Sequence, residues 1–397
     1  MTMIHVCYAV SDKKGNYTKY VGASLCSIFE NTKEWVTVHF LHDYTLSTDN
    51  RRLLMQLVRS YGQQIVFYDF EKLFKKRFEA FEEKNAWMKP NLKKGVSQAT
   101  WYRLVMGEVL PKVERLIYLD GDIIVNMDIA ELWNEDTGEN GLAAVPDTVI
   151  QEGHYSLMVQ KGLCKEECYF NAGVLLLDME KYRQQEQLLE RGAEFLKENE
   201  LIDYLDQDVL NHFFNKDCRL LPEKYNTLVS WELSQKRENV GACIYHYAGK
   251  CYAIDAVNNY HRLFLTYFTK TPWCNADFLG NLARNIHQTN RSLMLTYANF
   301  IAGMHRIIIG EETEKDTLTR MLMLKENEKF YTLKDFNKKG LRLEPNEVII
   351  FFIKQEEYER VKKNLEACGV MEGVHFLNGN ILLYRDGSQD AKILRES

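Results

Sequence analysis

The 397-residue sequence contains no apolar run of about 18 residues, the least that a membrane-crossing helix needs. It opens "MTMIHVCYAV", entering a strand pattern without the basic stretch, apolar core and small-residue cleavage site of a secretory signal. Both absences predict a soluble cytoplasmic protein. Positive charge is not in excess either: the net charge is -6, whereas a nucleic-acid binder would be expected to carry a basic patch. Two basic clusters, Lys72 to Arg77 and Lys89 to Lys94, read as solvated helix or loop faces. CxxC pairs are missing and the 9 cysteines form an odd count. That argues against a disulfide framework, and against zinc at Cys164 and Cys168 or at Cys243, His246 and Cys251.

What is present is ordinary globular composition, 46% hydrophobic and 27% charged, over a length that suits two or three domains. Short β-rich runs alternate with helical patterns. Ile4 to Val10 reads as a strand, Val21 to Glu30 as a helix and Val36 to Leu41 as a strand. "LSTDNRRLLMQLVRSYG" has the Ser/Thr/Asp start and Gly stop of a helix, and Ile65 to Phe70 reads as a third strand. Such alternation predicts βαβ units and a parallel sheet, whose ligands bind beyond the carboxyl ends of the strands.

The stretch "VERLIYLDGDIIVNMDIAELW", residues 113 to 133, sets two acids one residue apart within an apolar run. On a strand, residues i and i+2 share a face, so Asp120 and Asp122 would point the same way. Unpaired charges in such a place need a partner, and hard divalent cations take oxygen ligands together with substrate phosphates. The other reading is a turn between strands, since Asp and Gly are common turn residues. Further on, "YFNAGVLLLDMEKYR" holds an apolar strand, Gly173 to Leu177, preceded by Asn171. "LDQDVLNHFF" places Asp206, Gln207 and Asp208 at a helix start, more than a cap requires. "CIYHYAGK" sets His246 after a strand-like run, with Gly249 and Lys250 close behind.

Taken in order with "TWYRLVMGEVLP" and "LPEKYN", these segments resemble the retaining family 8 glycosyltransferases over roughly residues 1 to 275. The resemblance implies an α/β GT-A fold, a Rossmann-like mixed sheet. It implies Mn²⁺ or Mg²⁺ held by Asp120, Asp122 and His246 and bridging the diphosphate of a UDP-sugar. Ala9, Ser11, Asp12 and Tyr17 become candidates for uridine contacts, and Arg103, Gly121, Gly249 and Lys250 for contacts to the rest of the donor. Asn171, Asp206 and Gln207 match positions that contact the transferred hexose, and Asp147 matches one near the acceptor. The resemblance predicts retention of anomeric configuration. Double displacement needs a nucleophile on the far face of the anomeric carbon, and the residue matched there, Gln207, is a poor one. Front-face attack is therefore expected, with Asp206 orienting the sugar and stabilising charge. Two departures stand out: Lys14 and Gly15 look inserted between the acid and Tyr17, and no Lys-Pro-Trp follows the late histidine by a short gap.

Residues 276 to 397 lie outside the resemblance. Asn281 to Ile309, with Arg284, His287, Arg291 and Arg306, reads as one or two helices, either packed on the protein or touching a membrane surface that bears a lipid-linked acceptor. "NEVIIFFI" reads as a buried strand, followed by a helix with Tyr358, Val361, Leu365 and Cys368 on one face, a Gly369 stop and a strand at Ile381 to Tyr384. The expected organisation is a catalytic domain at 1–275, a helical connection at 276–330 and a small α/β module at 331–397 that lacks GxGxxG and is assigned no cofactor. The expected function is metal-dependent hexosyl transfer from UDP-glucose or UDP-galactose to a saccharide, lipid-linked or protein-linked glycan. Its expected setting is bacterial surface polysaccharide or lipopolysaccharide synthesis, in the cytoplasm or at the inner face of the membrane. The alternatives are a noncatalytic nucleotide-sugar or glycan-binding protein on the same fold, and a nucleotidyltransferase, for which "SDKKGNY" is a thin version of the Gly-rich loop.

Overall fold

The computed structural model describes residues 3–91, 97–153, 156–249, 258–285, 288, 304–322, 324–326, 328–339, 343–344 and 346–380. Lys250, His287, Arg291, the side chains of Lys89 to Lys94 and the strand expected at Ile381 to Tyr384 lie outside the described residues. The chain divides into two units, Met1–Asn275 and Ala276–Ser397.

In the first unit, β1 (Met3–Val10), β2 (Trp35–His42), β3 (Gln64–Asp69) and β4 (Arg115–Leu119) run parallel. Their runs of Val, Ile, Phe and Tyr suit a sheet covered on both faces. In β1, Ile4, Val6, Tyr8 and Val10 are buried on one face and Cys7 on the other. The helix α1 (Thr18–Asn31) covers the first face, tied to it by a hydrogen bond between Tyr8 and Ser24 at 2.8 Å. Gly22 lets Trp273 lie against α1, because a Cβ there would meet the indole at 2.5 Å. The next helix, α2 (Thr48–Ser60), starts at Ser47, whose hydroxyl accepts from the Asn50 amide, and it buries Leu54, Leu57 and Val58. Each fully buried aliphatic side chain of this kind contributes about 1.5–3 kcal/mol.

The sheet then changes sense. β7 (Phe170–Asp178) runs antiparallel to β4, β6 (Leu142–Pro146) antiparallel to β7, and β8 (Arg219–Leu220) parallel to β6. The strand order is β3-β2-β1-β4-β7-β6-β8. Because β7 reverses direction, its first residues lie at the same edge as the last residues of β1 and β4. A small second sheet, β5 (Ile123–Val125), β10 (Ile244–His246) and β9 (Thr227–Leu228), stands beside that edge. α1 carries it as well, since the Ser27 hydroxyl accepts from the Val125 amide and Asn31 donates to the Val125 carbonyl.

Among its described residues the second unit has one parallel sheet: β11 (His305–Ile309), β12 (Lys329–Tyr331), β13 (Glu347–Phe351) and β14 (Phe376–Asn378), in the order β12-β11-β13-β14. This corrects the reading of Asn281 to Ile309 as helix throughout. Residues 276–285 are helical, but His305–Ile309 is an inner strand of the sheet. The consecutive β-branched Ile307, Ile308 and Ile309, all buried, pack on a pleated surface, and the flanking arginines had suggested a helical stripe. The last long helix, Gln355–Ala367, buries Tyr358 and Val361. Gly369 follows it at φ +79, while Cys368 is exposed, contrary to the apolar face expected for it.

Candidate active site

Asp120, Gly121 and Asp122 are not part of a continuous strand. β4 ends at Leu119 and β5 starts at Ile123, so the two acids sit in a turn between two sheets. The strand-face expectation is corrected: the turn reading holds, and it is the turn that makes the carboxylates converge. Each end is pinned to a different sheet. The Asp120 amide donates to the Gly173 carbonyl of β7 at 2.8 Å, and the Tyr247 amide, just past β10, donates to the Asp122 carbonyl at 2.9 Å. Gly121 is required by close approach, since a Cβ there would stand 2.7 Å from the Tyr17 ring.

Arg103 lies behind this turn. It belongs to the 3₁₀ segment Gln98–Val105, where an arginine would ordinarily reach solvent, yet its side chain is only 11% exposed. The guanidinium donates to the Ala172 carbonyl at 2.7 Å and to Asp120 Oδ1 at 2.8 Å, and Nε forms an ion pair with Asp206 Oδ2 at 2.7 Å. Its plane lies over the Tyr118 ring at 4.5 Å, and the Tyr118 hydroxyl donates to the same Asp120 oxygen at 2.9 Å. A planar, permanently charged fork suits this bridging of two acids and a carbonyl. Asp120 Oδ1 is thereby occupied, and Oδ2 is left facing His246.

His246 enters from β10. Its Nε2 stands 3.5 Å from Asp122 Oδ1 and 3.9 Å from Asp120 Oδ2. Its ring rests on Gly173 of β7, where a Cβ would come within 2.4 Å of Cε1. On its other side Nδ1 is 3.1 Å from Asn226 Oδ1. Asn226 donates to Asn171 Oδ1 at 2.9 Å, and Asn171 donates to Asp147 Oδ2 at 2.9 Å. Gln207 closes the network: Oε1 accepts from the Ala172 amide at 2.9 Å, and Nε2 donates to Asp147 at 3.2 Å and to the Tyr169 hydroxyl at 3.3 Å. Tyr169 donates to Asp208 at 2.7 Å. Asp206, Gln207 and Asp208 all come from the first turn of the helix Asp206–Phe214.

The residues expected around uridine are grouped at the end of β1, apart from this network. Asp12 is buried and accepts from the Tyr17 amide (2.7 Å), the Thr18 amide (3.2 Å) and hydroxyl (2.5 Å), and Asn50 (3.0 Å). Its carboxylate thus organises the loop and the start of α1. Ser11 lies 3.5 Å from Thr45, which also accepts from the Asp12 amide, and Ala9 is half-buried at the strand end. Tyr17 connects the two groups through its packing on Gly121. Gly249 takes φ +74 in the exposed turn after β10. Asn226, Gly173, Tyr118 and Tyr169 were not singled out from sequence. Asn226 ends the motif "LPEKYN", but nothing in its spacing shows that β9 pairs with β10.

Burial sets the charge balance. It pushes Asp206 up to about 6, against the attraction of Arg103 and with the repulsion of Asp120. Burial likewise pushes Asp208 up to about 6, partly offset by the Tyr169 hydrogen bond. For His246 burial opposes the charged form, but the hydrogen bond and charge of Asp122 outweigh it and raise its pKa above the ordinary value. Asp122 is held low by His246 despite its burial. Asp120, Asp122 and His246 can each turn one ligand atom into a group within 4.8 Å. Ligand atoms about 2.1 Å from one cation lie roughly 3 to 4 Å apart, so two carboxylates and one imidazole at these separations fit a hard divalent ion.

Two crystal structures of the galactosyltransferase LgtC share this architecture: one of an active-site glutamine-to-glutamate mutant (TM-score 0.57, 21% identity), the other a complex with donor and acceptor sugar analogs (TM-score 0.56, 22% identity). Each comparison covers 70% of this chain and 99% of the other. The order and sense of the strands, with acids at the reversal point, define a GT-A glycosyltransferase fold. The chain belongs to glycosyl transferase family 8, whose pattern matches residues 8–251. It is 26% identical over 314 residues to a lipopolysaccharide 1,2-glucosyltransferase of Escherichia coli. It is 25% identical over 312 residues to a lipopolysaccharide 1,3-galactosyltransferase of Salmonella typhimurium (strain LT2). Each alignment covers 74% of this chain and 87% of the relative. No described helix is long and apolar enough to cross a membrane.

Proposed function

We propose that this glycosyltransferase is a metal-dependent, retaining hexosyltransferase. It takes glucose or galactose from the UDP-sugar and passes it to a glycan acceptor of cell-surface polysaccharide or lipopolysaccharide synthesis. The carrying observation is the convergence of Asp120, Asp122 and His246 on one side and Asn171, Asp206 and Gln207 on the other, joined through Arg103 and Asn226. The names of the two relatives support a glucosyl or galactosyl donor and a lipopolysaccharide-type acceptor.

Asp120, Asp122 and His246 would hold Mn²⁺ or Mg²⁺. When bound, such an ion supplies Lewis-acid stabilisation to a departing diphosphate. Arg103 keeps Asp120 and Asp206 oriented and balances their charge. In this reading Asp206 orients the sugar and stabilises its oxocarbenium-like charge. The carboxamide of Gln207 cannot be turned over, because Oε1 meets an amide N–H and Nε2 meets a carboxylate. The only Gln207 atom with nucleophilic character is thus engaged by the Ala172 amide. This favours front-face transfer, with the leaving diphosphate receiving the acceptor's proton, over a glycosyl–Gln207 intermediate. Asp147, which caps the turn beginning at Thr148 and accepts from Asn171 and Gln207, is the acceptor-side candidate.

UDP release from a panel of UDP-sugars without acceptor tests this reading. Slow release from UDP-glucose or UDP-galactose, abolished by EDTA, is expected. Release that survives EDTA, or release from neither sugar in the presence of Mn²⁺ and a lipopolysaccharide-type acceptor, would contradict it.

A further inference from the structure

Asn226 is not itself among the residues expected to meet the donor, yet its side chain joins two that are, His246 and Asn171. It is 2% exposed and immediately precedes β9, which pairs in parallel with the strand carrying His246. The sense of every hydrogen bond along this line can be fixed from one end. Asp147 is a carboxylate and only accepts, so the Asn171 atom facing it is Nδ2 and the other is Oδ1. The Gly173 amide donates to that Oδ1 at 2.9 Å, which agrees. The Asn226 atom beside Asn171 Oδ1 must therefore be Nδ2, which leaves Asn226 Oδ1 for His246. An amide oxygen accepts only, so His246 carries a proton on Nδ1, and it is Nε2, whose lone pair the neutral ring leaves for a cation, that faces Asp120 and Asp122.

We propose that Asn226 is a positioning residue with two separable tasks: it selects the ring tautomer and orientation of His246, and it couples that histidine to the sugar-side group of Asn171, Asp147 and Gln207. The inference rests on the reading of Asp120, Asp122 and His246 as cation ligands. Partners on the remote nitrogen of a ligating imidazole typically govern metal affinity by about 10- to 100-fold. The two tasks need different atoms, so two substitutions separate them. Asn226→Ala removes both. Asn226→Asp keeps an acceptor for the Nδ1 proton but sets a second oxygen against Asn171 Oδ1, which breaks the coupling alone.

The test uses the full chain and two readouts: Mn²⁺ uptake followed by the loss of the free-ion EPR signal, and KM for the UDP-sugar. Thermal unfolding establishes that each variant is folded. Asn226→Ala is expected to weaken Mn²⁺ binding by about 10- to 100-fold. Asn226→Asp is expected to bind Mn²⁺ within about threefold of wild type and to raise the UDP-sugar KM by about 2- to 10-fold, the range of one lost hydrogen bond. Wild-type Mn²⁺ affinity in Asn226→Ala would overturn the inference while leaving the cation site standing. Equal loss of Mn²⁺ in Asn226→Asp and Asn226→Ala would overturn the separation of tasks. No Mn²⁺ uptake by the wild-type chain would overturn the cation reading itself, and this inference with it.

Discussion

Each unit is built on an α/β sheet, and among the described residues the cluster of acids, histidine and amides gathers at the edge of the first. In the second unit the four described strands are parallel, and at their carboxyl ends Phe352, Gly379 and Asn380 pack against one another or onto backbone. A Cβ on Gly379 would stand 2.6 Å from the Phe352 ring, and Asn380 donates to the Ile353 carbonyl. In the first unit β7 reverses, so the start of one strand, the end of another and a turn between two sheets share a single edge. Parallel strands bring carboxyl ends together. The reversal adds an amino end, and with it Asn171 and Gly173, to the same place.

If the reversal point makes the site, changes there should dominate. Asp122→Ala is expected to lower turnover by on the order of 10³-fold or more while leaving the circular dichroism spectrum and unfolding midpoint near wild type. Near-normal turnover in the folded variant would remove the first unit's distinction. Next in size is Gly173→Ala, whose methyl would fall 2.4 Å from His246 Cε1. Overpacking should cost about 1–3 kcal/mol of stability. Displacement of His246 should lower turnover by about 100-fold. Steady-state kinetics beside denaturant melts separates the two effects.

The first unit also holds polar groups away from this edge, and they sharpen the contrast between function and stability. His39 accepts or shares protons with His5 at 2.9 Å and with the Tyr68 hydroxyl at 3.0 Å, and burial pushes it down to about 4. Below its ordinary value of 6.5 the unfolded chain takes up a proton that the folded chain refuses, so stability falls as pH drops from 6.5 to 4. The wild-type chain should lose about 3 kcal/mol across that window relative to His39→Asn. Parallel slopes for the two proteins would contradict it. The smallest effect is expected in the second unit. Asn378→Ala forfeits its hydrogen bond to Gln355 and the one it accepts from the Asn380 amide, each worth about 0.5–1.5 kcal/mol, and should leave UDP release unchanged within about twofold.

The same contrast explains what was legible in the sequence. β1 to β3 and α2 declare themselves through local periodicity and a Ser47 cap, and the ordered motifs from "TWYRL" to "HYAG" identify the family. Asp120 and Asp122 do not follow the strand pleat because β4 and β5 belong to different sheets, which a two-residue spacing does not encode. Asn226 and Gly173 went unnoticed for a related reason. Their importance comes from contacts with His246, 20 and 73 residues away along the chain, and no local pattern encodes those. Asp12 reads from sequence as an acid at a strand end, and its hydrogen bonds to Tyr17, Thr18 and Asn50, which organise the loop, follow from no local pattern. In the second unit, Ile307 to Ile309 announced a strand only once the arginine pattern around it was set aside.

The most direct test of the account is a calorimetric titration of the full chain with UDP, in Mn²⁺ and again in EDTA. Binding in Mn²⁺ that disappears in EDTA and in Asp122→Ala is expected. UDP binding of equal strength in EDTA, or none in Mn²⁺, would contradict the claim that Asp120, Asp122 and His246 form a cation site for a nucleotide diphosphate.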